Sequence, residues 1–183
     1  MRRDELMAVM AEGQTPSTGP IRLSGYDSAW PGVFGREASG IRAALGSAAL
    51  QVEHVGSTAV PQLAAKPIID ILLVVADSSE EEAYVPALER AGFVLRIRES
   101  DWYEHRLLKG PGADVNVHVF SKGCPEIDRM LAFRDWLRVH PDERELYESV
   151  KRQLAERDWE FVQDYADAKS EIVEAILARA MST

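Results

Sequence analysis

One stretch of the sequence carries several residues suited to holding a phosphate group. Gly56 and Ser57 follow an apolar run that ends at Val55, and Lys66 and Asp70 come shortly after them. Glycine permits a tight turn whose backbone N–H groups can surround phosphate oxygens, and a serine hydroxyl adds one more hydrogen bond. A Gly-Ser pair is also an ordinary turn, so on these residues alone a purely structural role stays open.

Asp70 lies inside an almost wholly apolar run, Ile68–Val75. A carboxylate in such surroundings is costly unless it is paired, hydrogen-bonded or bound to a metal ion. Side chains alternate along a strand, so Asp70 shares a face with Leu72 and Val74 and can point into a cleft at the rim of a sheet. Two interpretations remain open: a carboxylate that belongs to a site, and a buried salt bridge, for example to Lys66.

A later segment, Asp114–Phe120, alternates strictly between polar and apolar residues and is typical of a strand. The alternation places Asp114, Asn116 and His118 on one face, which is either the wall of a site or the solvated face of an antiparallel sheet. Contact between His118 and Asp70 across the sheet would favour the site. In that case Asp70, Asn116 and His118 are candidate metal ligands, and Asp70 and His118 are candidate catalytic residues.

Basic residues form a third group of candidates, because they can neutralise a bound phosphate. The group comprises Lys66, Arg96, Arg98, Arg106, Lys109, Arg129, Arg134, Arg138, Lys151 and Lys169. Most residues of this kind on a protein of this size are solvated surface charges. The predicted phosphate- or nucleotide-binding residues are Gly56, Ser57, Lys66, Arg106, Arg134 and Lys151. Arg134 stands among large apolar residues, and pairing with a neighbouring element is its alternative role.

The composition fits an ordinary globular chain of 183 residues. Acidic residues (30) outnumber basic ones (21) and give a formal net charge of −9. We therefore expect a small-molecule or nucleotide ligand in one basic pocket rather than an extended nucleic acid. The single cysteine, Cys124, excludes an internal disulfide. No apolar run is long enough for a signal peptide or a membrane span, so we expect a cytoplasmic protein without membrane association.

Periodicity predicts the elements that must position these residues. Residues 1–20 are expected to be an extension or linker, and residues 21–180 a single domain. The predicted strands are a short edge strand at Ile21–Leu23 and five more at Leu50–Val55, Ile68–Val75, Phe93–Arg98, Trp102–Lys109 and Asp114–Phe120. The predicted helices cover 27–45, Ser78–Ala91 with Ser78 as the cap, a segment from Pro125 to a break at His140–Pro141, and a long helix from Asp142, with a possible break near Asp158. This order argues for an α+β domain with helices gathered on one side of a mixed sheet.

Together these residues closely resemble the GrpB family. The resemblance is carried by Tyr26–Trp30, His54–Pro61, Leu63–Ile71, Asn116–Phe120, Phe133–Arg138, Tyr147 with Lys151, and Tyr165 with Lys169. It runs in order from about residue 21 to about residue 180. The family is similar to the nucleotidyltransferase fold of DNA polymerase β and to a domain attached to dephospho-CoA kinase in some bacteria. The resemblance therefore implies a nucleotidyltransferase-like fold.

A nucleotidyltransferase-like fold in turn implies a particular arrangement of site residues. A Gly-Ser pair stands on a turn after the first core strand, and Gly56 and Ser57 match it. Two acidic residues, separated by one other residue, follow on the next strand. Asp70 matches one of them, while Ile68 and Leu72 occupy the two positions where its acidic partner would stand.

A third acid is expected on a later strand, where this sequence has Asn116 or His118. Two-metal catalysis needs carboxylates that bridge both ions, and Asp70 with His118 can hold one ion at most. The resemblance thus implies one of two functions. One is nucleotidyl transfer to a small molecule with a single Mg²⁺ or Mn²⁺ ion. The other is a non-catalytic domain that binds a nucleotide or CoA-like ligand or assists folding, related to the domain attached to dephospho-CoA kinase.

Overall fold

The computed structural model describes residues 3–112 and 114–182. Within these ranges the helices are α1 (Arg3–Val9), α2 (Trp30–Leu45), α3 (Val85–Arg90), α4 (Pro125–Val139), α5 (Pro141–Ala155), α6 (Val162–Ala168) and α7 (Ser170–Ala180). The strands are β1 (Gln51–Val55), β2 (Ile69–Val75), β3 (Val94–Glu99), β4 (His105–Lys109) and β5 (Val115–Ser121). Among the described helices none is long and apolar enough to cross a bilayer.

The five strands form one mixed sheet in the order β1-β2-β5-β4-β3. β2 and β5 run parallel, and the other neighbouring pairs are antiparallel. The apolar run of β2 is explained by its place beside the centre, because both of its faces are covered. Ile71 and Leu73 pack with α2 and α3 on one face, while Leu72 and Val74 pack against α4 on the other.

The predicted α+β class and its five main strands are confirmed, but the helices do not all lie on one side of the sheet. α2 and α3 cover one face. The helices of the C-terminal third cover the other, and α5 and α7 extend that layer around Leu63 and Leu137. The physical reason is the two-sided apolar character of β2, which needs a helical layer on each face.

The strand predicted at Trp102–Lys109 begins only at His105. Three other predicted elements differ more strongly from the structure. The edge strand at Ile21–Leu23 does not form: Ile21 packs into a cluster with Leu154 and Tyr165, and a single bridge joins Ser24 to Ala65. The long helix from Asp142 breaks near Asp158, as predicted, and a second break at Lys169 separates α6 from α7. α5 ends at Ala155, and the indole Nε1 of Trp159 donates a hydrogen bond to the carbonyl of Leu154 in its last turn (2.8 Å).

The third difference concerns the helix predicted at Ser78–Ala91. α3 begins only at Val85, because Pro86 is tolerated in the first turn of a helix and not in its interior. Ser78 does not cap a helix. It is fully buried, its hydroxyl donates to the Glu104 carbonyl (2.8 Å), and it lies 2.9 Å from the Ser121 hydroxyl. Ser78 therefore ties three segments together at one end of the sheet.

The N-terminal segment packs against the edge strand β3. The Ala11 N–H donates to the Arg96 carbonyl (2.8 Å), Arg96 donates through Nη2 to the Thr15 carbonyl (2.9 Å), and Leu6 is buried. Farther along, the Ser17 carbonyl accepts a hydrogen bond from the Val162 N–H (3.0 Å) at the start of α6. This segment therefore bridges the sheet and the C-terminal helices, and it walls one side of the cavity described below.

Candidate functional site

The turn between β1 and β2 lies directly against the carboxylate of Asp70. Val55 pairs with Asp70 across the two strands, and Gly56 follows with a φ of +70°. A Cβ atom at position 56 would lie 2.6 Å from Asp70 Oδ2. Only glycine therefore fits here, on grounds of both space and backbone conformation. Ser57 then opens a short 3₁₀ turn and reaches the cavity.

The parallel pairing of β2 with β5 brings the predicted polar residues of the two strands together. Asp70 is in register with Asn116, whose Nδ2 donates to Asp70 Oδ1 (2.9 Å). His118 Nε2 lies 3.4 Å from the same oxygen. Burial acts to raise the pKa of Asp70, but the hydrogen bonds from His118 and Asn116 and the charge of Lys66 together hold it below its ordinary value. Asp70 is therefore an ionised carboxylate at neutral pH.

A cavity of about 560 Å³ opens beside Asp70, and most of its charged lining side chains are basic. Lys66, Lys109, Lys151 and Lys169 all line it, while Asp114 stands on its exposed rim. The cavity thus gathers four ammonium groups around one inner carboxylate.

Burial is the main cause of the lowered pKa values of these four lysines. It lowers the pKa of Lys151 to about 7 and that of Lys66 to about 8, and in both cases the charge of Lys169 lowers it further. Burial also lowers the pKa of Lys109 and of Lys169, against the opposing effect of Asp70. The free site therefore holds its positive charge at a cost, and a bound anion would offset that cost.

Lys151 and Ser57 are joined at the floor of the cavity. Lys151 Nζ donates to Ser57 Oγ (3.1 Å) and to the carbonyl of Ala64, and it lies 4.8 Å from the centre of the Tyr147 ring. These contacts fix the ammonium group next to the Gly-Ser turn.

Lys66 and Lys169 are both near the ring of Tyr165. Their Nζ atoms lie 5.5 and 4.8 Å from its centre. The Tyr165 hydroxyl is buried and has no hydrogen-bond partner among the residues that the structure describes, and the same is true of Asn116 Oδ1. Both atoms belong to residues that line the cavity, although neither atom is exposed in the free protein.

The structure does not bring two of the predicted basic residues to the cavity. Arg106 is buried on the opposite face of β4, where it pairs with Glu81 (2.6 Å) and Glu104 (3.0 Å). Arg134 pairs with Asp135 (2.7 Å) and Glu53 (2.9 Å) and donates to a carbonyl at the end of β1. Both guanidinium groups are held by carboxylates. Pairing with a neighbouring element, the alternative role given to Arg134, is what the structure shows.

Lys109 and Lys169 were among the basic candidates but not among the predicted phosphate-binding residues, and Tyr165 was named only in the family resemblance. A usable cue existed for Tyr165 and Lys169, because they stand at the i, i+4 spacing that places side chains on one helical face. Lys109 gave no comparable cue. It reaches the site because Lys109 on β4 lies opposite Asn116 on β5, and this register cannot be predicted from the sequence.

The side chains around Asp70 do not fit a pair of divalent ions. Within residues 3–112 and 114–182, no group of three His, Cys, Asp or Glu side chains converges on a point. Mg²⁺ and Mn²⁺ prefer several oxygen ligands, and two-ion catalysis needs bridging carboxylates. Asp70 offers one carboxylate, Asn116 one amide oxygen and His118 one imidazole, beside four lysines. These side chains therefore lack the bridging carboxylates that two-metal catalysis needs.

Sequence comparison finds relatives over nearly the whole chain. The family model described as GrpB protein matches residues 20–179. A UPF0157 protein of Halalkalibacterium halodurans is 59% identical over 180 residues, which cover 98% of this chain and 92% of that protein. A dephospho-CoA kinase of Mycolicibacterium paratuberculosis is 32% identical over 164 residues, which cover 75% of this chain and 40% of the kinase.

Structure comparison gives a consistent result. The crystal structure of GrpB from Enterococcus faecalis has a TM-score of 0.74 at 34% identity, covering 88% of this chain and 98% of that one. A cytoplasmic RNA terminal U-transferase has a TM-score of 0.50 at 16% identity, covering 75% of this chain and 43% of that one, which is a likeness of fold alone. The predicted nucleotidyltransferase-like fold is confirmed. The chain belongs to the GrpB family.

Proposed function

We propose that the cavity binds a small phosphorylated ligand, a nucleotide or a CoA-like molecule, and does so without a divalent metal ion. The observation that carries this proposal is the set of four lysines, Lys66, Lys109, Lys151 and Lys169, around the single inner carboxylate of Asp70. A phosphate group would lie between the Gly-Ser turn and these ammonium groups.

Electrostatics supports an anionic ligand. Among the described residues none of the four lysines has a carboxylate at ion-pair distance, whereas the arginines of this protein commonly do. The charge of Lys169 lowers the pKa of both Lys66 and Lys151, so these ammonium groups repel one another in the free protein. A bound dianion would give the lysines a counter-ion. It would also raise their pKa values, because an opposite charge nearby favours the charged form of an ammonium group.

The remaining features of the cavity suit a phosphate ester. The Tyr165 hydroxyl and the Ser57 hydroxyl are donors to phosphate oxygens, and the volume of about 560 Å³ is within the range of ligand pockets, about 300–1,000 Å³. The similarity to part of a dephospho-CoA kinase makes dephospho-CoA one ligand to test, beside the nucleoside triphosphates.

Nucleotidyl transfer to a small molecule, assisted by one Mg²⁺ or Mn²⁺ ion on Asp70, Asn116 and His118, is the alternative. It rests on the contact of His118 and Asn116 with Asp70. The two proposals differ in a measurable way. The binding proposal needs no metal ion, whereas the alternative makes ligand binding depend on both the ion and Asp70.

Thermal unfolding of the full chain tests the two proposals together. ATP, the other nucleoside triphosphates and dephospho-CoA would each be added with EDTA, and again with Mg²⁺ or Mn²⁺. A ligand at about one hundred times its Kd adds about 2.7 kcal/mol to the free energy of unfolding, which raises Tm by several degrees. We expect such a rise in EDTA, its loss in Lys151→Met, and its persistence in the control Lys122→Met, since Lys122 is exposed and away from the cavity.

Two other outcomes would contradict the binding proposal. A rise in Tm that requires the metal ion and disappears in Asp70→Asn would support the metal-assisted alternative. No rise with any of these compounds, with or without metal, would overturn both proposals.

A further inference from the structure

The cavity has two sides of different chemical character. Its lysine side comprises Ser57, Asp70 and the four lysines. Its apolar side is contributed by the N-terminal segment and by β3 and β4, and comprises Leu6, Met10, Pro16, Ile97 and Leu107. The phosphate site proposed above accounts for the lysine side and leaves the apolar side without a role.

The register of the sheet gives the distance between the two sides. Leu107 on β4 lies opposite His118 on β5 and opposite Ile97 on β3. Residues that lie opposite each other point to the same face of a sheet, so Ile97 and Leu107 share the face that bears His118 and Asp70. In the strand order, three spacings of about 4.8 Å separate Asp70 on β2 from Ile97 on β3, or roughly 14 Å. The cavity therefore extends across four strands.

The apolar side is incompletely covered by the protein itself. Ile97 and Leu107 are only half-buried, whereas Leu95 and Leu108, which point to the other face, are buried in the core. The N-terminal segment lies over this part of the sheet, where Met10 forms a bridge with Ile97. Apolar surface that faces water in a cavity is unfavourable, and a ligand that covered it would remove that cost.

Charge is distributed unevenly between the two sides. The ammonium groups are on the lysine side, and Arg96, which lines the cavity beside Ile97, donates through Nη2 to the Thr15 carbonyl (2.9 Å). A ligand with negative charge along its whole length would find its counter-charges mainly at one end. A ligand with a charged group at one end and an uncharged chain at the other matches both sides of the cavity.

We propose that the ligand of this cavity is a phosphate ester that carries a long, uncharged and largely apolar chain. Its phosphate group would bind at the Gly-Ser turn among the lysines. Its chain would cross β5 and β4 to reach Ile97, with Leu6 and Met10 of the N-terminal segment on its other side. This inference rests on the proposed phosphate site and narrows the class of ligand. Of the ligands proposed above, the CoA-like esters carry such a chain.

Calorimetric titration of the full chain in EDTA with alkyl phosphates of increasing length tests the proposal. The series consists of inorganic phosphate, ethyl phosphate, butyl phosphate and hexyl phosphate. Burial of one methylene group corresponds to a gain in affinity of up to about fourfold, so hexyl phosphate should bind at least about tenfold more tightly than ethyl phosphate. The heat-capacity change of binding should become more negative along the series, because it reports the burial of apolar surface.

Two substitutions determine whether the chain binds on the apolar side. Ile97→Thr keeps a β-branched side chain on β3 and removes part of the apolar wall. It should weaken the binding of hexyl phosphate by about fivefold and leave that of ethyl phosphate unchanged. Val139→Thr is the matched control, because Val139 is exposed at the end of α4 and outside the lining of the cavity. It should leave both affinities unchanged.

Equal affinity for ethyl and hexyl phosphate would overturn the inference and leave the phosphate site in place. That result is read from the wild-type protein, so it decides even if Ile97→Thr fails to fold. A gain with chain length that Ile97→Thr does not reduce would also overturn the inference, because the chain would then bind elsewhere. Hexanol, measured in parallel, identifies a failure of the phosphate site. If hexanol binds as tightly as hexyl phosphate, or if no phosphate of the series binds, the phosphate site fails and the inference fails with it.

Discussion

Replacing Lys151 by methionine is expected to stabilise the fold near pH 7 while abolishing ligand binding. Burial lowers the pKa of Lys151 from 10.5 to about 7. A shift of about 3.5 units at about 1.36 kcal/mol per unit corresponds to about 4–5 kcal/mol of destabilisation when the group is fully charged in the folded state. Methionine is similar in length and removes this cost.

The gain is offset by the hydrogen bonds that Lys151 makes. Its Nζ donates to Ser57 Oγ and to the carbonyl of Ala64, and leaving the carbonyl unsatisfied costs about 1–3 kcal/mol. The net expectation at pH 7 is a gain of about 1–3 kcal/mol in the free energy of unfolding. A stabilising change that removes function is the pattern expected where a site is built at the expense of stability.

The pH dependence gives a sharper measurement than the absolute value. Above pH 7 the folded protein releases the Lys151 proton, whereas the unfolded chain keeps it until about pH 10.4. Because the unfolded state binds more protons in this window, the free energy of unfolding of the wild type rises with pH, by up to about 1.36 kcal/mol per unit from this one group. The advantage of Lys151→Met should therefore shrink by about 2–3 kcal/mol between pH 7 and pH 9.

Urea denaturation of the wild type, Lys151→Met and Lys122→Met at both pH values measures this difference. Lys66, Lys109 and Lys169 contribute to the slope of all three proteins, so the comparison isolates Lys151. Parallel pH profiles for the wild type and Lys151→Met would refute the claim that the folded protein holds this lysine at a depressed pKa. Lys122→Met should follow the wild type.

Three further variants test other parts of the structure. Gly56→Ala should lower the free energy of unfolding by about 1–3 kcal/mol in urea denaturation, since its Cβ would lie 2.6 Å from Asp70 Oδ2 at a φ of +70°. Asp70→Asn should retain ATP binding in EDTA by calorimetry, and a complete loss there would mean that the carboxylate itself, without a metal ion, is needed to hold the ligand, contrary to the role given to the lysines. Arg106→Met should cost about 2 kcal/mol, because Glu104 loses its ion pair and Glu81 keeps only the more exposed Arg98, while the ATP-induced rise in Tm should be unchanged.

The sequence was sufficient where a pattern depends on local spacing. The apolar run of β2 and the alternation of β5 indicated strands, and the single polar position in the first pointed to Asp70. The contact of Asp70 with Asn116 and His118 followed from those strands only on the condition that they are neighbours. That condition depends on the pairing of segments more than forty residues apart, and it was met by the structure.

The sequence was insufficient where the outcome depends on which face of a strand looks into the cavity. On β4, Arg106 and Lys109 are both basic, but the alternation directs them to opposite faces, and the sequence does not say which face is which. The hairpin of β3 and β4 contains a register shift between Leu95 and Ile97, so the approach of Glu99 to His105 was equally hidden. The sequence shows which residue types stand at these positions but not which way their side chains point.

The docking of the N-terminal segment on β3 also has a consequence for self-association. β3 ends the sheet, and the free N–H and C=O groups of a terminal strand can pair with a strand from another molecule. The Ala11 N–H occupies the Arg96 carbonyl, and Met10 bridges to Ile97. The chain thus blocks the middle of its own exposed edge. Detachment of this segment would leave β3 open to pairing with a strand of another molecule. We therefore expect that its loss would promote aggregation.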